Sequence, residues 1–251
     1  MGSPYLFRIF IYPIKSLDPI EVESVKISEK GALEGDRVFA LFDEENRVVN
    51  AKREKKLHLV RSFVDFEKEI FEFSLGGEKY TFGFDEIERV NEFFSEFLGY
   101  RVFMKKNEKG GFPDDTKASG PTIVSRSTLR EVASWFNISE EEARRRFRAN
   151  IEIEGVPPFW EDYLVGKKFK IGDVEIEGVN ISKRCPVPTR NPYTGEPMKN
   201  FVKIFTEKRK EKTPPDVPRE IFDTYYRLCL NTNIPESEWG KILRKGDKVQ
   251  F

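Results

Sequence analysis

The sequence predicts an α+β fold that is predominantly β. Three features of its 251 residues support this prediction. Apolar and polar side chains alternate over 5–12 and 20–27, as they do in half-buried strands. Glycine-containing dipeptides separate further alternating runs, which is typical of hairpins. Helical periodicity is limited to three segments, which begin near residues 87, 127 and 139.

The N-terminal part is predicted to consist of hairpins and one helix. A polar turn at 43–47 separates two strand-like runs, and a glycine pair separates two alternating runs within 70–84. Apolar residues at helical spacing predict a helix over 87–99, and a strand follows at 100–104. The alternating context of His58 predicts that this histidine lies in a strand and has a structural role.

A change in composition divides the chain near its middle. Residues 107–121 are rich in Gly, Pro and Asp, which fits either a domain boundary or a loop that belongs to a site. We therefore predict an N-terminal β-rich domain over 1–106 and a second domain over 107–251.

The second domain is predicted to combine two helices with further strands. One helix begins near Ser127, and another begins at Ser139, where Ser-x-x-Glu forms a capping box. A hairpin over 169–179 turns at Gly-Asp. The basic, proline-containing segment 206–218 is predicted to be an exposed loop, and 241–251 a closing strand.

Composition excludes several classes of partner and location. Lys plus Arg equals Asp plus Glu at 43 each, so no overall field attracts nucleic acid or an anionic membrane. The apolar opening is too short to span a bilayer, no signal segment is evident, and a chain with two cysteines suits a reducing compartment. We therefore expect a cytoplasmic protein. Abundant Lys and Glu with a single Gln is typical of thermophile proteins.

Common catalytic motifs are missing from the sequence. It contains neither a Gly-x-Gly-x-x-Gly turn nor a Walker loop, and one histidine cannot form a histidine-rich metal site or support an ordinary serine triad. An ordinary iron–sulfur cluster needs four cysteines, and the chain has two. We therefore expect the protein to carry no electron carrier of this kind.

The remaining chemistry is cationic and sulfur chemistry. Cys185 follows Lys183 and Arg184 and precedes a proline-stiffened turn, so it is either a reactive thiolate and soft metal ligand or a small buried apolar residue. Cys229 lies in an apolar run and is assigned to the core. The arginines within 144–148 either bind phosphate or form a solvated helix face paired with the preceding glutamates.

Five separated motifs, in this order, resemble one family. They are "IYPIKSL" near the start, "GALEGDRVFALFDEENRVVNAKREKKLHLV", "RRRFRANIEIEG", "RCPVPTRNPYTGEP", and "FDTYY" with "ILRKGDKV". Their order and spacing resemble the MOSC-domain family, which includes the mitochondrial amidoxime-reducing component. The resemblance implies a mostly β N-terminal subdomain, a MOSC-type β-barrel with a few helices, and a molybdopterin-type molybdenum cofactor bound between them, with tungsten as an alternative metal.

The resemblance also implies roles for individual residues. Cys185 matches the position of the metal ligand and is the implied catalytic residue. Lys183 stands where a small polar residue is common, so substrate preference is left open. The implied cofactor-binding residues are Lys15, Ser16, Arg37, Ser119, Arg148, Asn150, Arg184, Thr189 and Tyr225.

The resemblance leads to three hypotheses about function. The first is a molybdenum-dependent oxidoreductase that reduces small oxygen-bearing substrates, such as N-hydroxylated compounds, with electrons from a separate partner protein. The basic segment 206–218 is a candidate docking surface for that partner, with an ordinary flexible loop as the alternative. The second is a sulfur carrier in which Cys185 holds a persulfide received from a sulfur donor. The third is a non-catalytic module that binds the cofactor.

Overall fold

The fold is mostly β, as the sequence predicts. The computed structural model describes residues 3–115 and 117–250. Its helices are α1 Ile87–Leu98, α2 Arg126–Phe136, α3 Glu140–Phe147 and α4 Phe201–Lys212. Its strands are β1 Tyr5–Ile11, β2 Ile20–Val22, β3 Ser24–Lys26, β4 Phe39–Asp43, β5 Val48–Val49, β6 Arg61–Asp65, β7 Ile70–Leu75, β8 Glu78–Gly83, β9 Val102–Lys106, β10 Ile123–Ser125, β11 Ile151–Glu154, β12 Lys168–Ile171, β13 Val174–Lys183, β14 Arg227–Asn233, β15 Ile242–Arg244 and β16 Val249–Gln250.

The largest sheet has eight strands in the order β16-β12-β13-β14-β10-β11-β1-β2. Its pairs are antiparallel except β10 with β11, which are parallel because α2 and α3 form the crossover between them. Leu6, Ile9, Ile123, Ile151 and Leu230 are fully buried in the core of this sheet. The central strands β10, β11 and β14 are buried along nearly their whole length, whereas β12 alternates between exposed and buried residues.

The N-terminal part has a second core. Strands β5, β4 and β9 form one three-stranded sheet, and β6, β7 and β8 form another. Helix α1 contacts β8 and β9 and buries Val90, Phe94 and Leu98. Phe94 packs edge-on against Phe73 with 5.0 Å between ring centroids. The predicted hairpin within 70–84 and the predicted helix over 87–99 are both confirmed.

Strand pairing crosses the predicted boundary between the two domains. β1 pairs with β11, and β3 pairs with β15. The first strands of the chain therefore complete sheets built from later strands. The division at residue 106 stays a prediction.

Helices α2 and α3 begin where the sequence predicts. The side chain of Ser125 caps α2 by accepting a hydrogen bond from Thr128 N, and Ser139 caps α3 by accepting one from Glu142 N. α3 ends at Phe147, and the following residue, Arg148, has a left-handed φ of +54° that terminates the helix. Within the part of the chain that the structure describes, no helix combines the length and apolar character needed to cross a membrane.

The prediction of an exposed loop over 206–218 was wrong in its first half. Helix α4 continues to Lys212, and Arg209 within it is fully buried. Its guanidinium contacts both carboxylate oxygens of Asp162 at 2.6 Å and donates to Thr213 Oγ1 at 3.1 Å. One cation of the basic run thus has a buried partner on a distant segment, which the composition of the run does not reveal.

Two further local predictions were wrong. His58 lies in the 3-10 turn Lys55–Leu59 and not in a strand. The segment 241–250 forms two short strands, because Gly246 takes a left-handed φ of +88° and turns the chain between them. β15 pairs with β3 and β16 with β12. Residue 251 lies outside the described residues.

Candidate functional site

A cleft of about 780 Å³ is lined by segments that lie far apart in the sequence. They include 15–18, 113–115 and 182–185. Eleven Lys and Arg residues and five Asp and Glu residues line it, whereas the whole chain carries equal numbers of each. Positive charge is therefore concentrated in the cleft, which favours an anionic ligand.

Six of the ten predicted site residues line this cleft. They are Lys15, Ser16, Arg37, Arg148, Arg184 and Cys185. Cys185 is half-buried and follows the end of β13. Among residues 3–115 and 117–250, no group of three or more His, Cys, Asp and Glu side chains is placed to hold a metal ion. Cys185 thus lines a cleft in which cations outnumber carboxylates.

A fully buried arginine anchors the loop that follows Cys185 to α3. Arg146 donates to the carbonyl oxygens of Pro188 at 2.8 Å and Arg190 at 2.7 Å. Its guanidinium also pairs with Glu142 at 2.7 Å. Arg146 is thus occupied by the protein and is not a solvated helix cation.

The same loop is held by the N-terminal part of the chain. Arg190 donates to Ala51 O at 2.5 Å, and Arg61 donates to Pro192 O at 3.4 Å. On the other side, Tyr226 OH donates to Cys185 O at 3.3 Å. The backbone around the thiol is therefore held from three directions, which is the preorganisation that a metal ligand or nucleophile requires.

Three cleft residues have left-handed backbones. Ser16, Arg37 and Arg148 have φ values of +74°, +53° and +54°. This region disfavours residues that carry a Cβ, and such strain clusters at functional sites. Ser16 Oγ accepts a hydrogen bond from Ala51 N at 3.2 Å, which holds this turn.

Arg148 lies over the ring of Tyr12, with 4.2 Å between its guanidinium carbon and the ring centroid. It donates to Leu17 O at 2.6 Å. Burial lowers the pKa of Arg148, as it does that of Lys15, and the nearby Arg37 contributes in both cases. Cations that repel one another in this way are stabilised by an anion placed between them.

Four predicted residues do not line the cleft. Asn150 is fully buried, and its side chain donates to Phe10 O and Asp36 Oδ1 and accepts from Thr122. Ser119 Oγ donates to Lys30 O at 2.5 Å, Thr189 Oγ1 donates to Pro186 O at 2.6 Å, and the Tyr225 ring stacks 5.2 Å from that of Phe222. Contact of these four with a cofactor stays a prediction.

The two cations before Cys185 differ in their surroundings. Arg184 Nη2 donates to Phe147 O at 2.7 Å, while its buried Nε has no hydrogen-bond partner. Lys183 is exposed on the rim of the cleft, and its ammonium lies 3.4 Å from a carboxylate oxygen of Asp223. Lys183 is therefore held by an ion pair with a residue that does not line the cleft.

His58 is a cleft residue that sequence reasoning missed. It is 9% exposed, lines the cleft, and its Nε2 has no hydrogen-bond partner. Burial, together with the charges of Arg190, Arg148 and Arg61, lowers its pKa to about 4. The local sequence pattern carried no signal for this position, because two of these three cations, Arg148 and Arg190, come from distant segments.

His58 is expected to make stability depend on acid pH. Its folded pKa lies below the unfolded value, so the unfolded chain binds the proton more readily and stability falls as pH drops from about 6.5 to about 4. Denaturant unfolding measures this at about pH 7 and about pH 4.5. Between these two pH values the free energy of unfolding should fall by about 2 kcal/mol more in the parent than in His58→Phe. An equal loss in both proteins would contradict this linkage.

Two models of known protein families together match most of the chain. Residues 3–83 match the MOSC N-terminal beta barrel domain. Residues 118–250 match the MOSC domain, which is more than half of the chain.

Individual relatives share low sequence identity with this chain. Molybdenum cofactor sulfurase from Caenorhabditis elegans is 23% identical over 274 residues, covering 99% of this chain and 36% of that protein. The human molybdenum cofactor sulfurase is 20% identical over 263 residues, covering 84% of this chain and 29% of that protein. This chain thus spans about a third of these relatives. The YUAD protein of Bacillus subtilis matches 99% of this chain and 97% of that chain at 12% identity, with a TM-score of 0.38.

Proposed function

Because the chain belongs to the MOSC domain family, we propose that its cleft binds a molybdenum cofactor and that Cys185 is the protein ligand of the metal. One observation carries this proposal: a half-buried thiol and an excess of cations line the same cleft. The names of the relatives, which are molybdenum cofactor sulfurases, support the choice of cofactor.

The residues present fit such a group. Thiolate is a soft ligand suited to a metal of this kind, and arginine and lysine match the oxygens of a phosphate. The unpartnered Nε of Arg184 and Nε2 of His58 are buried polar atoms that lack a partner within the protein. In this proposal Cys185 would hold the metal, and Arg37 and Arg148 would hold the anionic part of the cofactor.

For activity, we propose reduction of small oxygen-bearing substrates such as N-hydroxylated compounds. The cofactor, when bound, supplies a metal centre able to take an oxygen atom. The overall reduction consumes two electrons and two protons and releases the oxygen as water. The protein orients the cofactor, while a separate donor protein supplies the electrons.

This proposal is tested on protein isolated from a host that makes the cofactor. We expect elemental analysis to find molybdenum or tungsten, pterin fluorescence to find the organic part, and an amidoxime to be reduced to the amidine with an artificial electron donor. Protein that contains metal and pterin but reduces no N-hydroxylated substrate would contradict the reductase and leave a cofactor-binding module. Protein without either would contradict cofactor binding.

The second candidate is a persulfide carrier, which the similarity to sulfurases favours. In this role the Cys185 thiol accepts a sulfur atom from a donor persulfide, and the donor leaves as a thiol. Intact-protein mass spectrometry should then show one added sulfur that reductant removes. Cys229 is the matched control, because it is fully buried and burial raises the pKa of its thiol to about 12. A persulfide on Cys185 in metal-free protein would support the carrier over the reductase.

A further inference from the structure

The ammonium of Lys15 is fully occupied by the chain itself. It donates to Phe112 O at 2.9 Å and Pro113 O at 3.3 Å, and it pairs with a carboxylate oxygen of Asp114 at 3.1 Å. An ammonium has three N–H donors, so these three oxygens use all of them. In this arrangement Lys15 has no donor left for a ligand in the cleft.

Asp114 lies among further cations. The same carboxylate oxygen is 3.4 Å from the ammonium of Lys52. Partial burial opposes ionisation of Asp114, but Lys15, Arg37 and Lys52 outweigh it and hold the pKa well below its usual range. All four residues line the cleft. The carboxylate therefore has the surroundings expected of a bound anion.

The backbone that carries Asp114 is firmly docked. Phe112 N donates to Arg37 O at 2.9 Å, and Asn107 Nδ2 donates to Gly111 O at 2.7 Å. Gly111 has a φ of +62°, and a Cβ there would lie 2.7 Å from Asp36 O, so only glycine fits this contact. By contrast, the Asp114 side chain is 52% exposed. Its carboxylate can leave the cations by side-chain rotation while the loop stays in place.

We propose that Asp114 is an internal anion that holds the place of a ligand phosphate between Lys15 and Lys52, and that a phosphomonoester binds by displacing it. The identity of that ligand as a cofactor rests on the proposed function. The exchange itself rests on the contacts of Lys15. Asp114 then sets how tightly the cleft binds phosphate, because every ligand must replace an existing ion pair.

Phosphate titration of Asp114→Asn tests the proposal, with Asp115→Asn as the matched control. Asp115 lines the same cleft, but its carboxylate accepts from Lys117 N, so its removal changes the same charge without freeing Lys15. Calorimetric titration with inorganic phosphate at low salt should show binding about five- to tenfold tighter in Asp114→Asn and less than about twofold tighter in Asp115→Asn. Asp114→Ser should show the same gain in phosphate affinity. Adding Lys15→Met to Asp114→Asn should abolish that gain.

Equal changes in the two Asn variants, or weaker binding in Asp114→Asn, would overturn the proposal. The readout needs no molybdenum, so the two proposals can fail separately. If no cofactor is bound but Asp114→Asn gains affinity for phosphate, the exchange stands and the ligand is another phosphomonoester. If the cofactor is bound and Asp114→Asn shows no gain, the exchange alone is wrong.

Discussion

Replacing Cys185 with serine is expected to lower the metal content of natively produced protein at least about tenfold and to abolish reduction of an amidoxime. A serine hydroxyl is a hard, protonated ligand, whereas a thiolate is soft and charged. Cys185 is half-buried at the cleft, so the free energy of unfolding should change by less than about 1 kcal/mol. Metal analysis, substrate turnover and denaturant unfolding measure the three quantities.

The matched control is Cys229→Ser. Cys229 is fully buried among Val124, Leu129 and Leu228, so a hydroxyl there lacks a partner and should destabilise the protein by about 1–3 kcal/mol. Metal content per folded protein should stay unchanged. If Cys185→Ser contained as much metal as the parent, Cys185 would not be the metal ligand.

Replacing Arg209 with methionine is expected to cost about 3–5 kcal/mol of the free energy of unfolding. Both Arg209 and Asp162 have fully buried side chains. The substitution would leave the Asp162 carboxylate without its bidentate partner, and burial already raises the pKa of that group. The guanidinium also lies 4.3 Å from the ring centroid of Phe159, a contact that methionine would keep only in part.

The double variant Arg209→Met with Asp162→Leu separates the ion pair from the packing. Removing both charges should recover most of the lost stability, since well-packed apolar residues often replace a buried pair at little cost. As a surface control, Lys208→Met on the same helix removes an exposed cation and should change stability by less than about 0.5 kcal/mol. A loss below about 1 kcal/mol in Arg209→Met would show that the pair contributes little.

Signals within a few residues were sufficient for most of the individual elements. The hairpin within 70–84, the helix over 87–99 and the capped helices after Ser125 and Ser139 all form where the local pattern indicates. Each depends on turn residues, caps or periodicity, which act over neighbouring positions. The prediction of a mostly β chain therefore needed no long-range information.

The candidate site was partly predictable. Cys185, which follows two cations, and Lys15 and Arg37 in their motifs were selected from sequence, and the structure brings all three to one cleft. The same reasoning missed His58, which reaches the cleft from a turn. Asn150, also selected from sequence, is fully buried and does not line the cleft, so its contact with a cofactor stays a prediction.

Long-range pairing accounts for the remaining features. Arg209 looked like one cation in a basic loop, and its burial follows from Asp162, which lies far away in the chain. Lys15 was predicted as a cofactor contact, and in the structure its donors are satisfied by residues 112–114. The chain specifies which elements form through contacts between neighbours. Whether a charge is buried, paired or open to a ligand depends on partners that sequence spacing does not reveal.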